Sequence, residues 1–153
     1  MPEVLAPLKL AFPAVPSSVP SARHAVSKYV ARAEGRVDAE RICIAVTEAA
    51  GNAVRHAYPG TEPGPVELYA RWTDRSLLVR ISDQGVGMSA NHRGHSLGLG
   101  LRLVDAACDD YEIRANPGVT VRMVFTYLEV WGVPRMRRFR RASGEMPVAA
   151  VFP

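Results

Sequence analysis

A carboxylate and an amide four residues apart, Glu48 and Asn52, stand in the run Glu48-Ala49-Ala50-Gly51-Asn52-Ala53-Val54-Arg55-His56. On a helix that spacing puts both side chains on one face, about 5–6 Å apart at Cβ. The carboxylate can take a proton and the amide oxygen can hold a metal ion. Arg55, one turn further on, can reach an anionic ligand. Around them Ala49, Ala50, Gly51, Ala53 and Ala57 are small, so a ligand or another part of the chain can come close. By itself such a pair also fits an ordinary solvated helix surface, and its neighbours in the sequence have to decide.

Two glycine-rich segments follow. Asp83-Gln84-Gly85-Val86-Gly87 comes directly after an alternating apolar run. A carboxylate at a strand end can accept a hydrogen bond while bare glycine backbone approaches a flat ligand. Gly94-His95-Ser96-Leu97-Gly98-Leu99-Gly100-Leu101 leads into a helical pattern. Glycines at a helix start expose backbone N–H groups and the positive end of the dipole, a site for anions. No Gly-Lys-Ser/Thr follows, so this is not a Walker A loop. The surrounding unit is not strand-helix-strand of parallel type, which removes the Rossmann fingerprint.

The elements that must position these residues can be read from periodicity. Residues 8–13 suit a short edge strand that stops at Pro13. A helix is expected over about 20–34, capped by Ser17 or Ser18 and ended by Gly35. Asp38 caps a second helix over 39–57, whose apolar stripe is Ile42, Ala45, Val46, Ala49, Ala53 and Ala57. Glu48, Asn52 and Arg55 lie beside that stripe, and Pro59-Gly60 ends the helix. Val66–Trp72 and Leu77–Ile81 alternate around Thr73–Ser76 and read as an antiparallel hairpin. Residues 83–100 form a long loop, and loops of that length are usually functional or disordered. A third helix over 97–108 precedes a hairpin of Asp110–Ala115 and Val119–Val130, turning at Asn116-Pro117-Gly118. Val119, Val121, Met123, Phe125 and Tyr127 share one of its faces. The order is that of an α+β, two-layer sandwich with helices on one face of a mainly antiparallel mixed sheet.

Composition bounds the rest. At 153 residues, 48% hydrophobic and 22% charged, the chain reads as one soluble globular domain. It has no apolar run long enough for a membrane span and no secretory signal at its start. Cys43 and Cys108 form no Cys-x-x-Cys pair and read as small buried hydrophobes in a reducing cytoplasm. The net charge of +4 belongs to residues 131–153, where Arg135, Arg137, Arg138, Arg140 and Arg141 face only Glu145. Residues 1–130 balance to zero, so the count gives no basic face to the fold itself. From Gly132 onward the composition is that of a disordered tail. His24 reads as an ordinary helix residue, His56 as a packing residue, and His92 and His95 as solvated.

Glu-x-x-x-Asn on a helix, Asp-x-Gly-x-Gly about thirty residues on and a glycine-rich helix start together resemble the Bergerat-type ATP-binding fold. That fold is shared by gyrase, histidine kinases and MutL (the histidine-kinase-like, or GHKL, superfamily). The resemblance covers roughly residues 8–128. The phrases Ser21-Ala22-Arg23, Ile44-Ala45-Val46-Thr47-Glu48-Ala49 and Asn52-Ala53-Val54-Arg55-His56-Ala57-Tyr58 are similar to the small bacterial anti-sigma-factor serine kinases. The resemblance implies ATP and Mg²⁺ as cofactors, Asn52 as metal ligand and Glu48 as the general base toward a serine hydroxyl. Arg55 would contact phosphate. Asp83, Gly85, Gly87 and Thr120 would form the adenine end, and Gly98, Leu99 and Gly100 would donate N–H groups to the phosphates. Implied partners are a sigma factor, a small anti-sigma-factor antagonist as protein substrate and a second copy in a homodimer. Nucleic acid is expected only through the arginine tail. The nucleotide-binding domain is expected over 8–130 and the basic tail over 131–153. One departure, Ser96 where the family often has the middle glycine of Gly-x-Gly-x-Gly, keeps an alternative open: an ATP-binding regulatory switch without phosphate transfer.

Overall fold

The computed structural model describes residues 5–33, 35–87, 98–115 and 117–128. The segment 88–97, with Gly94, Ser96, His92 and His95, and the arginine tail therefore lie outside the described residues. Eight elements follow the expected order: β1 (Leu8–Pro13), α1 (Ser18–Ala31), α2 (Ala39–His56), β2 (Pro65–Trp72), β3 (Ser76–Asp83), α3 (Gly98–Ala107), β4 (Asp110–Ala115) and β5 (Val119–Thr126).

α2 forms where its stripe and its cap agree. Asp38 is extended, and its carboxylate accepts from the backbone N–H groups of Glu40 and Arg41 at 3.0 and 3.2 Å. This satisfies two donors that the first turn leaves without partners. Ile42, Ala45, Val46, Ala49, Ala50 and Ala53 are buried. Ser17 stands at the N-cap of α1 without a side-chain cap bond, and that helix is held by Ala22, Val26, Tyr29 and Val30 in the core.

The sheet runs β1-β2-β3-β5-β4. All four pairings among the described residues are antiparallel, so the parallel element of a mixed sheet, part of the expectation, does not occur there. The reason is topological. The chain leaves β3, makes α3, and returns as the β4–β5 hairpin, whose second strand inserts beside β3. Period-two alternation then sorts the residues. Val66, Leu68, Ala70, Leu77, Val79, Ile81, Val121, Met123 and Phe125 are buried on the face that carries the helices. Removing each larger side chain from water stabilises the fold by about 1.5–3 kcal/mol. Cys108 is buried and its thiol donates to the carbonyl of Val104 at 2.9 Å, while Cys43 is half-buried. The described residues include no helix long and apolar enough to cross a membrane.

Candidate nucleotide site

The polar edge of α2 meets the start of α3. Glu48 and Asn52 are half-buried and Arg55 is exposed. A Cβ at Gly100, in the first turn of α3, would sit 3.1 Å from Glu48 Oε2 and 3.5 Å from both polar atoms of the Asn52 amide. The glycine therefore lets the α3 N-terminus settle directly onto the pair. α3 begins at Gly98, so the N–H groups of Gly98, Leu99 and Gly100 belong to its first turn, where donors lack helical partners and the dipole is positive. Arg55 Nη2 donates to Asn52 Oδ1 at 3.0 Å. The spacing of 48, 52 and 55 sets these three side chains along one edge of α2, and the packing of α3 brings its N-terminus to Glu48 and Asn52.

The second cluster forms at the C-terminal end of β3. Asp83 is only 8% exposed. Its Oδ1 accepts from the backbone N–H of Gly85 at 3.0 Å and of Val119 at 3.2 Å. Its Oδ2 accepts from no group among the described residues. The backbone closes in around it. Val86 N–H donates to the carbonyl of Ala57, the residue after α2, at 2.9 Å, and a Cβ on Gly85 would lie 1.9 Å from that same oxygen. On the other side a Cβ on Gly118 would lie 1.9 Å from the carbonyl oxygen of Asp83. Gly87 has φ +75°, and its Cβ would lie 2.4 Å from the Pro117 carbonyl oxygen. Each glycine marks a place where two backbones touch.

α2 joins the two clusters. Its C-terminal end holds the Asp83 loop, and Asn52 and Glu48 lie about 7 and 13 Å back along its axis from Ala57 at 1.5 Å per residue. An elongated anionic ligand with a flat polar head can therefore be gripped at both ends. The described residues include no group of three or more His, Cys, Asp or Glu side chains arranged for a metal.

One sequence reading is placed elsewhere here, and one residue was missed. Thr120 does not join Asp83. It stands opposite Ser82 in the β3–β5 register and faces the open side of the sheet, whereas Asp83 and Val121 face the helices. Alternation from Val119, Val121 and Met123 already required this. The β5 residue that meets Asp83 is Val119, through its N–H. The other omission is Tyr58, whose hydroxyl donates to the Pro65 carbonyl at 2.7 Å and accepts from Gln84 N–H at 3.0 Å. Its only sequence signal was its place at the end of the Asn52–Tyr58 run.

Comparison with known proteins identifies the family. The family model described as "Histidine kinase-like ATPase domain" matches residues 12–125. A protein named Serine-protein kinase RsbW from Listeria innocua is 31% identical over 132 residues, covering 76% of this chain and 84% of that protein. The protein of the same name from Listeria monocytogenes serovar 1/2a matches to the same extent. That from Bacillus velezensis is 33% identical over 101 residues, covering 56% of this chain and 63% of its own length. With an α+β sandwich and a family match spanning most of its length, the chain belongs to the histidine kinase-like ATPase domain family.

Proposed function

We propose that the chain is an ATP- and Mg²⁺-dependent protein-serine kinase that phosphorylates a small anti-sigma-factor antagonist and, by binding a sigma factor, represses transcription. The observation that carries the reading is the packing of the α3 N-terminus at Gly100 against both Glu48 and Asn52. It puts a proton acceptor beside groups suited to phosphate, in a chain similar to proteins named as serine-protein kinases.

Asp83 Oδ2 accepts a hydrogen bond from the adenine amino group, and the close backbones at Gly85 and Gly118 fit the flat base. The first-turn N–H groups of α3 and the Arg55 guanidinium neutralise phosphate charge. Asn52 would hold Mg²⁺, which would supply further charge neutralisation on the phosphates. Glu48 takes the proton of the serine hydroxyl as its oxygen bonds to the γ-phosphorus. The bond from that phosphorus to the bridging oxygen breaks, and ADP leaves. Such transfer needs mainly positioning and charge stabilisation, so this short set of residues suffices. The new phosphate adds about −1.5 to −2 charge to the antagonist, which breaks its complex and frees the kinase for the sigma factor.

The test is incubation with γ-labelled ATP and the cognate antagonist. Label appearing on an antagonist serine supports the kinase. Tight ATP binding with no label on any antagonist supports the regulatory switch instead.

A further inference from the structure

The helices cover one face of the sheet, and the other carries a groove of about 790 Å³. Its floor can be read from the register. One row crosses all five strands as Lys9, Tyr69, Arg80, Arg122 and Glu112. Beside it run Glu67, Thr120 and Arg114 on one side and Arg71 and Leu78 on the other. Five cations therefore line the groove against two carboxylates, Glu67 and Glu112. The fold is neutral in sum, as its sequence says, but its charge is unevenly placed.

Part of that charge is already paired. Arg114 and Arg122 reach Glu112 at 2.8 and 3.4 Å, and Arg122 also approaches Asp110 at 3.5 Å. Lys9, Arg71 and Arg80 make no ion pair among the described residues. Arg80 lies over the Tyr69 ring, 5.3 Å from its centroid. We infer that this face is a docking surface for an acidic, amphipathic polypeptide segment of a partner protein. Charge complementarity selects the occupant. A second copy of the chain would bring two positive faces together, and the arginine tail carries the same sign. A nucleic-acid backbone would meet Glu67 in the middle of its path. A helix with acidic and apolar residues together on one face instead places its acids on Lys9, Arg71 and Arg80 and its apolar groups on Leu78 and the Tyr69 ring. The face spans about 19 Å across five strands, which a helix of roughly thirteen residues covers. The groove lies across the sheet from α2, so this inference stands apart from the nucleotide site.

The probe is a fluorescein-labelled helical peptide of roughly fourteen residues with glutamate and leucine on one face, titrated into the full chain and followed by anisotropy. Binding is expected to weaken with added salt, and to weaken about tenfold or more in Arg71→Glu/Arg80→Glu, the loss of about 1.4 kcal/mol. ATP binding by that variant stays as in the parent. Should the double variant unfold, Lys9→Glu on the exposed edge strand gives the same comparison with a smaller drop. Peptide affinity unchanged by these reversals overturns the proposal. So does a single-stranded oligonucleotide of equal charge binding as tightly, or a wild-type dimer in sedimentation that the same reversals dissociate.

Discussion

At Asp83 the two carboxylate oxygens have different duties. Oδ1 accepts from Gly85 and Val119 and holds two loops together, while Oδ2 accepts nothing among the described residues. Asp83→Asn with its amide oxygen kept toward the loops preserves the first duty. It puts an N–H where an adenine amino group would donate, setting donor against donor. The expected result is ATP affinity at least about tenfold lower, since a lost charged hydrogen bond is worth about 1.5–3 kcal/mol, with thermal stability close to the parent. Calorimetric titration and a melting curve measure the two. The glycines divide in the same way. Ala at Gly85 would drive its methyl into the Ala57 carbonyl, which is backbone and cannot swing aside, so the melting temperature falls. Ala at Gly100 meets only the tip of Glu48 and the Asn52 amide, which can shift. Helix propensity then favours Ala by up to about 1 kcal/mol, so Gly100→Ala keeps or gains stability while its methyl crowds the gap between α2 and α3 and lowers phosphate transfer. Denaturant titration beside a transfer assay separates these outcomes.

Between elements, Asp109 is the tie that joins α2, the end of α3 and β5. Its Oδ2 accepts from both the N–H and the hydroxyl of Thr126 at 2.8 Å, and Oδ1 from Arg41 at 3.3 Å. Burial opposes its ionisation, but the bonds from Thr126 and Arg41 together outweigh burial and hold the carboxyl below its ordinary value. A carboxyl with a lowered folded-state pKa contributes stability above its unfolded pKa and loses it as pH falls through the folded one. The fold therefore loses stability below about pH 4, the ordinary carboxylate range. Asp109→Asn melts lower at pH 7 and shows a shallower further loss on acidification, read from melting temperatures across pH. α2 was the most legible element in the sequence, because the Asp38 cap and the small-residue stripe agree with each other. The Thr73–Ser76 turn was legible for a similar reason: Thr73 Oγ1 accepts from the Ser76 N–H at 3.0 Å, local chemistry that turn residues advertise. The seating of Gly100 on Glu48 was not legible, because it depends on how α3 packs against α2 across fifty residues of chain. The position of Thr120 was legible in β5's alternation, and the family pattern led elsewhere.

For the whole molecule, the order of elements and the sandwich followed from periodicity, while the distribution of charge did not. A sum over residues 1–130 is zero, yet strand register gathers Lys9, Arg71, Arg80, Arg114 and Arg122 on one side, and no count can show that. The aromatic cluster at the opposite end of the sheet from Asp83, Trp72 with Tyr29 at 6.0 Å and Tyr127 at 5.9 Å, closes the core before the tail begins. Tyr127 N–H and Leu128 N–H are bound to the carbonyls of Arg75 and Arg36. Removing residues 131–153 is accordingly expected to leave the melting temperature and ATP affinity unchanged within error, by calorimetry on the shortened chain. The central claim is that Glu48 acts on the protein substrate and not on the nucleotide, and Glu48→Gln tests it with the least disturbance of shape. Phosphate transfer from γ-labelled ATP to the cognate antagonist should fall by about 10²-fold or more while ATP affinity stays within about twofold of the parent. Transfer by Glu48→Gln at the parent's rate would contradict the account.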